Sequence, residues 1–225
     1  MASVGLTLRW EHRISPVGGE GASRVQSTET DDRSNPTSRA TPEDAALAAG
    51  CLAGDMRAYE QLYSAQGARM RNLARNLLGS QTDAEDAVQE TFLKIQRRIA
   101  SFRGQSAFVT WTFRILVNTC YDMRRSKVRR KEHSQDNSEE SAPREPRAPG
   151  AHPTLRMALE RALGQLTEHQ RSVFLLYEVE GFRHSEIATM LQISETASKN
   201  TLFQAKRNLR GMLEPPRSAE AGGAR

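Results

Sequence analysis

The residues best equipped for chemistry in this chain are cations, amides and aromatics, and their spacing suits recognition of a polyanion rather than bond-making. From Arg124 to Lys131 the sequence reads RRSKVRRK, six cations in eight residues with no acid. Cations complement the dipole at a helix C-terminus, but six exceed that need and fit a stripe of phosphate contacts. Just upstream, Trp111, Arg114 and Asn118 fall at three-to-four spacing, which places them on one helical face. An aromatic platform beside a cation and an amide suits unstacked single-stranded bases, whereas a lone tryptophan is also ordinary core material. Later in the chain, Ser194 is positioned to cap a helix whose leading and outer surface carries Glu195, Thr196, Lys199, Asn200 and Phe203. Asn200 has the donor–acceptor pair that matches an adenine edge, and Lys199, Lys206 and Arg207 suit phosphates.

One stretch has the opposite character. Asp83, Glu85, Asp86, Gln89 and Glu90 make the first turns of another helix acidic. Part of this is helix-start chemistry. Asp86, Gln89 and Glu90 lie off the apolar stripe, however, and such a face repels nucleic acid and suits a basic protein partner.

Catalysis lacks its parts. A nuclease or recombinase needs a carboxylate cluster for metal, or a nucleophile with its base. The acids crowd one helix start, and the five histidines are scattered without ligand spacing. The expectation is a non-enzyme with no metal, no cofactor and no small-molecule substrate. Cys51 and Cys120 are the only cysteines, so a disulfide framework is not expected; they read as small hydrophobes of a reducing cytoplasm. No apolar stretch reaches membrane-spanning length, and Arg9, Glu11, His12 and Arg13 follow only a short apolar run, unlike a secretory signal. A cytoplasmic location is expected.

The elements that position these residues read as helices throughout, so the fold class is all-α. At 225 residues the chain suffices for two modest cores, and its net charge is +5. Residues 1–40 are rich in Gly, Ser, Thr, Arg and Asp and read as a disordered extension. Residues 133–153 hold four prolines and no large aliphatic or aromatic residue, and read as a flexible linker. Two small helical domains remain, 41–132 and 154–213, followed by a disordered tail at 214–225.

Thr41-Pro42-Glu43-Asp44 is a helix start. Tyr59, Leu62, Tyr63, Met70, Leu73, Leu77 and Leu78 form a periodic run up to Gly79, a C-cap. Thr82 to Glu85 has the form of a capping box opening a helix striped by Val88, Phe92, Ile95 and Ile99. Ser106 is expected to start the helix that carries Trp111. In the second domain Leu155, Leu159, Leu163 and Leu166 stripe one helix, Thr167-x-x-Gln170 caps the next, and Ser185 opens a third. The pair from Ser185 to Arg210, a short helix, a tight break and a longer basic helix, has the layout of a helix-turn-helix. Gln192 stands in its turn, where glycine is common, and Ser198 at its junction, where an aliphatic residue is usual.

The stretch DAEDAVQETFLKIQRRIASFRGQSAFVTWTFRILVNTCYDMRR resembles region two of the extracytoplasmic-function sigma factors of bacterial RNA polymerase. LGQLTEHQRSVFLLYEVEGFRHSEIATMLQISETASKNTLFQAKRNLRGML resembles their region four. The resemblance covers both folded segments in order. It implies a promoter-specificity subunit whose partners are core polymerase, through the clamp coiled coil of its largest subunit and the flap, and promoter DNA. Many relatives are restrained by an anti-sigma factor, which makes one a candidate partner.

Residue by residue, Asp83, Glu85, Asp86, Gln89 and Glu90 fall on the helix that holds the clamp. Phe102, Arg103, Gly104 and Gln105 fall in the loop that captures a flipped base of the −10 element. Thr110, Trp111, Arg114 and Asn118, with Arg124 and Arg125 beyond them, fall on the helix that opens and reads that element. Ser194, Glu195, Thr196, Lys199, Asn200, Phe203, Lys206 and Arg207 fall on the helix that enters the −35 major groove. Thr112 stands where many relatives are apolar or aromatic, and Thr201 and Gln204 where arginine is often found.

Overall fold

The computed structural model describes residues 41–133 and 153–213. The expected N-terminal extension, the tail and all but the end residues of the linker lie outside the described residues. Within them every regular element is helical: α1 (Pro42–Leu52), α2 (Met56–Leu78), α3 (Gln81–Arg98), a 3-10 turn (Ile99–Ser101), α4 (Phe108–His133), α5 (Pro153–Gln165), α6 (Glu168–Phe174) with a π turn after it (Leu175–Val179), α7 (His184–Leu191) and α8 (Glu195–Leu213).

Local chemistry sets most of the boundaries. The Thr41 hydroxyl accepts the Asp44 N–H at 3.2 Å and Pro42 opens α1. Gly79 ends α2 in the left-handed region at φ 77°, a conformation that costs a side chain but not glycine. The cap of α3 is Ser80, not Thr82: its hydroxyl accepts the Asp83 N–H at 3.3 Å and the helix starts at Gln81. The turn at Gly79 delivers the chain into helical geometry two residues earlier than the capping-box pattern implied. Thr167 and Gln170 do form a reciprocal capping box, at 3.3 Å in each direction.

The start of α4 also differs from expectation. The helix begins at Phe108 rather than at Ser106, and its cap comes from another element. The Asp44 carboxylate of α1 accepts the N–H groups of Phe108 and Val109 at 2.6 and 3.1 Å. An anion set on the positive end of the helix dipole satisfies two otherwise orphaned donors.

Three apolar clusters hold the helices. Leu62, Ile95, Phe108, Ile115 and Cys51 tie α1 to α4 and the 3-10 turn. Ala162, Leu166, Ala205 and Leu209 pack α5 against α8. The largest cluster runs through both halves of the chain, joining Met70, Leu73, Leu77, Val88, Phe113, Leu116 and Val117 to Val173, Leu176, Phe182, Ile187 and Leu202. Each large side chain fully buried this way contributes about 1.5–3 kcal/mol.

Candidate nucleic-acid and polymerase-binding surfaces

The C-terminal helix pair carries the outer residues singled out in the sequence. Gln192, at φ 57° and ψ 43°, takes the left-handed turn itself, and the Ile193 N–H closes onto the Ala188 carbonyl at 3.1 Å. Ser194 Oγ accepts the Ala197 N–H at 3.0 Å and so fixes the start of α8. Ser198 is fully buried, and its hydroxyl lies 2.9 Å from His184 Nδ1, while the His184 ring stacks on Tyr177 at 4.4 Å. A hydroxyl replaces the usual aliphatic at this junction because the facing residue is an imidazole.

Glu195, Thr196, Lys199, Asn200, Lys206 and Arg207 are exposed, as is Phe203 at 69 %. Lys199 pairs with Glu195 at 2.8 Å, which holds the Glu195 carboxyl below its ordinary range through that hydrogen bond. Lys206 turns back to Glu178 at 2.7 Å and lies over the Tyr177 ring, an arrangement the spacing did not reveal.

On α4 the outward face is mixed. Trp111 is half-buried, stacked on Phe108 at 5.8 Å between centroids and 5.4 Å from Phe102. The ring thus packs against the core and still keeps part of its surface accessible. Arg103, Gly104 and Gln105 are exposed in the loop before it, with Gly104 left-handed at φ 68°. Arg114 is half-buried and Asn118 exposed. Thr112 faces inward, and its hydroxyl donates to the Val109 carbonyl at 2.8 Å. Thr110 is buried too, donating to Glu186 Oε1 of α7 at 2.7 Å. Of the basic stripe, Arg124 lies 3.8 Å from Glu168 and Arg125 pairs with Asp122 at 3.1 Å; Val128, Arg129 and Arg130 are exposed.

The acidic helix divides in two. Asp83 is ion-paired with Lys127, Glu85 accepts from Gln81 at 2.7 Å, and Glu90 lies 3.9 Å from Lys94. Asp86 and Gln89 are exposed. Leu93, one turn beyond Gln89, is 45 % exposed, and Tyr63 is also exposed, with its ring edge against Phe92 at 5.3 Å. Sequence reading passed over Leu93 and counted Tyr63 in the apolar run of α2, where it is instead 49 % exposed. Leu93 carried a signal, because it lies off the stripe of Val88, Phe92, Ile95 and Ile99 and is therefore an apolar residue directed outward.

Among the described residues no group of His, Cys, Asp and Glu is arranged to hold a metal ion, and no helix is long and apolar enough to cross a membrane.

Comparison with known proteins fits this geometry. The family profile described as Sigma-70 region 2 matches residues 62–130, and that described as Sigma-70, region 4 matches residues 156–209. The chain is 32% identical over 170 residues to the ECF RNA polymerase sigma factor SigM of Mycobacterium tuberculosis, covering 76% of this chain and 84% of that protein. It is 30% identical over 188 residues to the ECF RNA polymerase sigma-E factor of Haemophilus influenzae, covering 76% of this chain and 96% of that one. Among solved structures, the sigma factor RpoE in complex with the anti-sigma factor NepR from Bartonella quintana superposes with a TM-score of 0.61 at 26% identity, over 71% of this chain and 98% of that one. CnrH in complex with the cytosolic domain of CnrY superposes with a TM-score of 0.56 at 25% identity, over 76% and 96%. Two matched regions in order, on an all-helical scaffold with a capped helix-turn-helix, lead to one conclusion: the chain belongs to the extracytoplasmic-function sigma factors, the subunits that bind core RNA polymerase and direct transcription initiation at their promoters.

Proposed function

We propose that the roles within this sigma factor divide by surface chemistry. The α3 face of Asp86, Gln89 and Leu93 engages the polymerase clamp, joined at its margin by Asp83, Glu85 and Glu90. The loop from Phe102 to Gln105, with Trp111, Arg114 and Asn118, receives the −10 element, and Arg124 and Arg125 follow its backbone. Ser194 to Arg207 read the −35 major groove, with Asn200 and Phe203 meeting base edges and Lys199 and Arg207 the phosphates. The subunit performs no catalysis of its own and acts in the cytoplasm, where polymerase works. A partner that restrains it, as NepR accompanies RpoE and CnrY accompanies CnrH, belongs to the same reading.

The observation that carries this assignment is the segregation of opposite chemistries. One helix exposes acid beside leucine, which suits a basic protein partner, and another exposes lysine and asparagine beside a phenylalanine that is 69 % solvent-accessible.

Transcription reconstituted from purified protein and core polymerase tests it. The expected result is initiation at defined promoters, with Asp86→Arg lowering core affinity about tenfold while helical content is unchanged. Core polymerase that is active with another sigma factor, yet unable to initiate with this one, contradicts the reading. Site-specific duplex binding without polymerase, indifferent to Asp86→Arg, points instead to a stand-alone regulator.

A further inference from the structure

The Tyr63 side chain is exposed, yet its ring is fixed on three sides. Beneath it lies Gly67, one turn further along α2. A Cβ at that position would lie 3.3 Å from Tyr63 Cδ2 and Cε2 and 3.5 Å from Cγ. To one side, the Phe92 ring of α3 meets it edge-on at 5.3 Å. At its tip, Arg71 Nη1 donates to the hydroxyl at 2.7 Å, and the guanidinium lies 5.6 Å from the ring centroid. Gly67 sits in the middle of a 23-residue helix, where glycine is less favourable than alanine. The Tyr63 ring occupies the space its missing Cβ leaves. Core packing alone does not account for that, because the ring is only partly covered; what the arrangement produces is an aromatic ring held still at the surface.

That ring borders the acidic face of α3. Round the helix from Phe92, the exposed residues Gln89, Leu93 and Asp86 follow at about 60°, about 100° and about 120° in the same sense. Lys94, which donates to Thr119 of α4 at 3.1 Å, lies on the opposite side. The surface therefore runs from an aromatic ring through an amide and a leucine to a carboxylate. An amphipathic helix with an aliphatic row beside a basic one complements it. We infer that Tyr63 is a further anchor for core polymerase on this surface, and that Gly67 and Arg71 are positioning residues that hold its ring in place. This rests on the assignment of the acidic face to the polymerase clamp. Tyrosine is a frequent binding hot spot because it brings a large contact area with few rotatable bonds. A loose ring loses rotamer freedom on docking; this one has lost it on folding, so more of its contact appears as affinity. As an acceptor from Arg71, the hydroxyl keeps its own proton to donate to the partner.

Titration of core polymerase onto the immobilised full-length chain tests this, with melting and helical content followed alongside. Tyr63→Ala should weaken core binding about tenfold. Gly67→Ala should weaken it about threefold yet melt no lower than wild type, since alanine favours the helix and the displaced ring can swing into water. In a Tyr63→Ala background, Gly67→Ala should change core affinity no further, because the ring it displaces is gone. Arg71→Gln should weaken binding about twofold, again only while Tyr63 is present, and it serves where Gly67→Ala alters helical content. A folded Tyr63→Ala chain with wild-type core affinity overturns the anchor. Losses from Gly67→Ala and Arg71→Gln that persist in full without Tyr63 overturn the positioning role. If Tyr63→Ala weakens binding and Asp86→Arg does not, the anchor stands and the assignment of the acidic face fails. The reverse pair of results sinks the anchor and leaves that assignment standing.

Discussion

A side chain that packs a core and also stacks on a base must be reachable from one face, and Trp111 is half-buried against Phe102 and Phe108. Trp111→Ala therefore loses packing and, on the proposed reading, the platform for an unstacked base. The expected cost is about 2 kcal/mol of stability in denaturant titration, less than for a fully buried ring. Permanganate reactivity at −10 should fall more than closed-complex binding, while Trp111→Phe should recover the stability and part of the melting. The cysteines are a simpler case. Burial pushes the Cys51 thiol up to about 11 and the Cys120 thiol up to about 12. Thiolate is the reactive form, so at neutral pH both should resist a disulfide reagent in the folded chain and react fully once it is unfolded. Rapid modification of either in the native protein contradicts their assignment as core.

At the scale of elements, the helix-turn-helix contains the residues that fit least well by type. Gln192 bears the strain of a left-handed turn without being glycine. Gln192→Gly should raise the stability of region four by about 0.5–1 kcal/mol in urea unfolding. Ser198→Ala should lower it by about 1–2 kcal/mol, because it removes the fully buried hydrogen bond between the Ser198 hydroxyl and His184 Nδ1. The sequence already showed both positions as unusual. What it did not show was His184 opposite Ser198, since a residue's neighbour across a helix junction is set by tertiary packing. Gly79 and the Thr167–Gln170 box were readable because their chemistry is local. Ser80 was missed because the Thr82–Glu85 box pattern was taken as the start, whereas the turn at Gly79 places the cap two residues earlier.

For the molecule as a whole, the apolar stripes of each region were visible in the sequence, but not which stripe meets which. Phe113 lies on α4 and Phe182 in the segment before α7, and nothing in the sequence told that they pack against each other across the two regions. The same limit applied to the surfaces. Lys206 reads as a phosphate contact by type and position, and its 2.7 Å pairing with Glu178 of the π turn was not legible in the spacing. That Asp86 and Gln89 lie off the apolar stripe was legible in the sequence, whereas the exposure of Tyr63 on α2 became evident only with burial.

The carboxylate of Asp44 reaching the first amides of α4 has a practical consequence for anyone cutting this protein. The matched region-two profile begins at residue 62, so a fragment trimmed to that boundary discards α1 and, with it, the anion that closes the start of the Trp111 helix. Such a fragment should melt lower than one beginning at residue 41 and should expose Phe108 and Ile115 where α1 lay. Asp44→Ala in the longer fragment should reproduce about 1–2 kcal/mol of that loss in thermal unfolding. The usable boundary of the first helical domain thus lies at residue 41, upstream of residue 62 where the profile match starts.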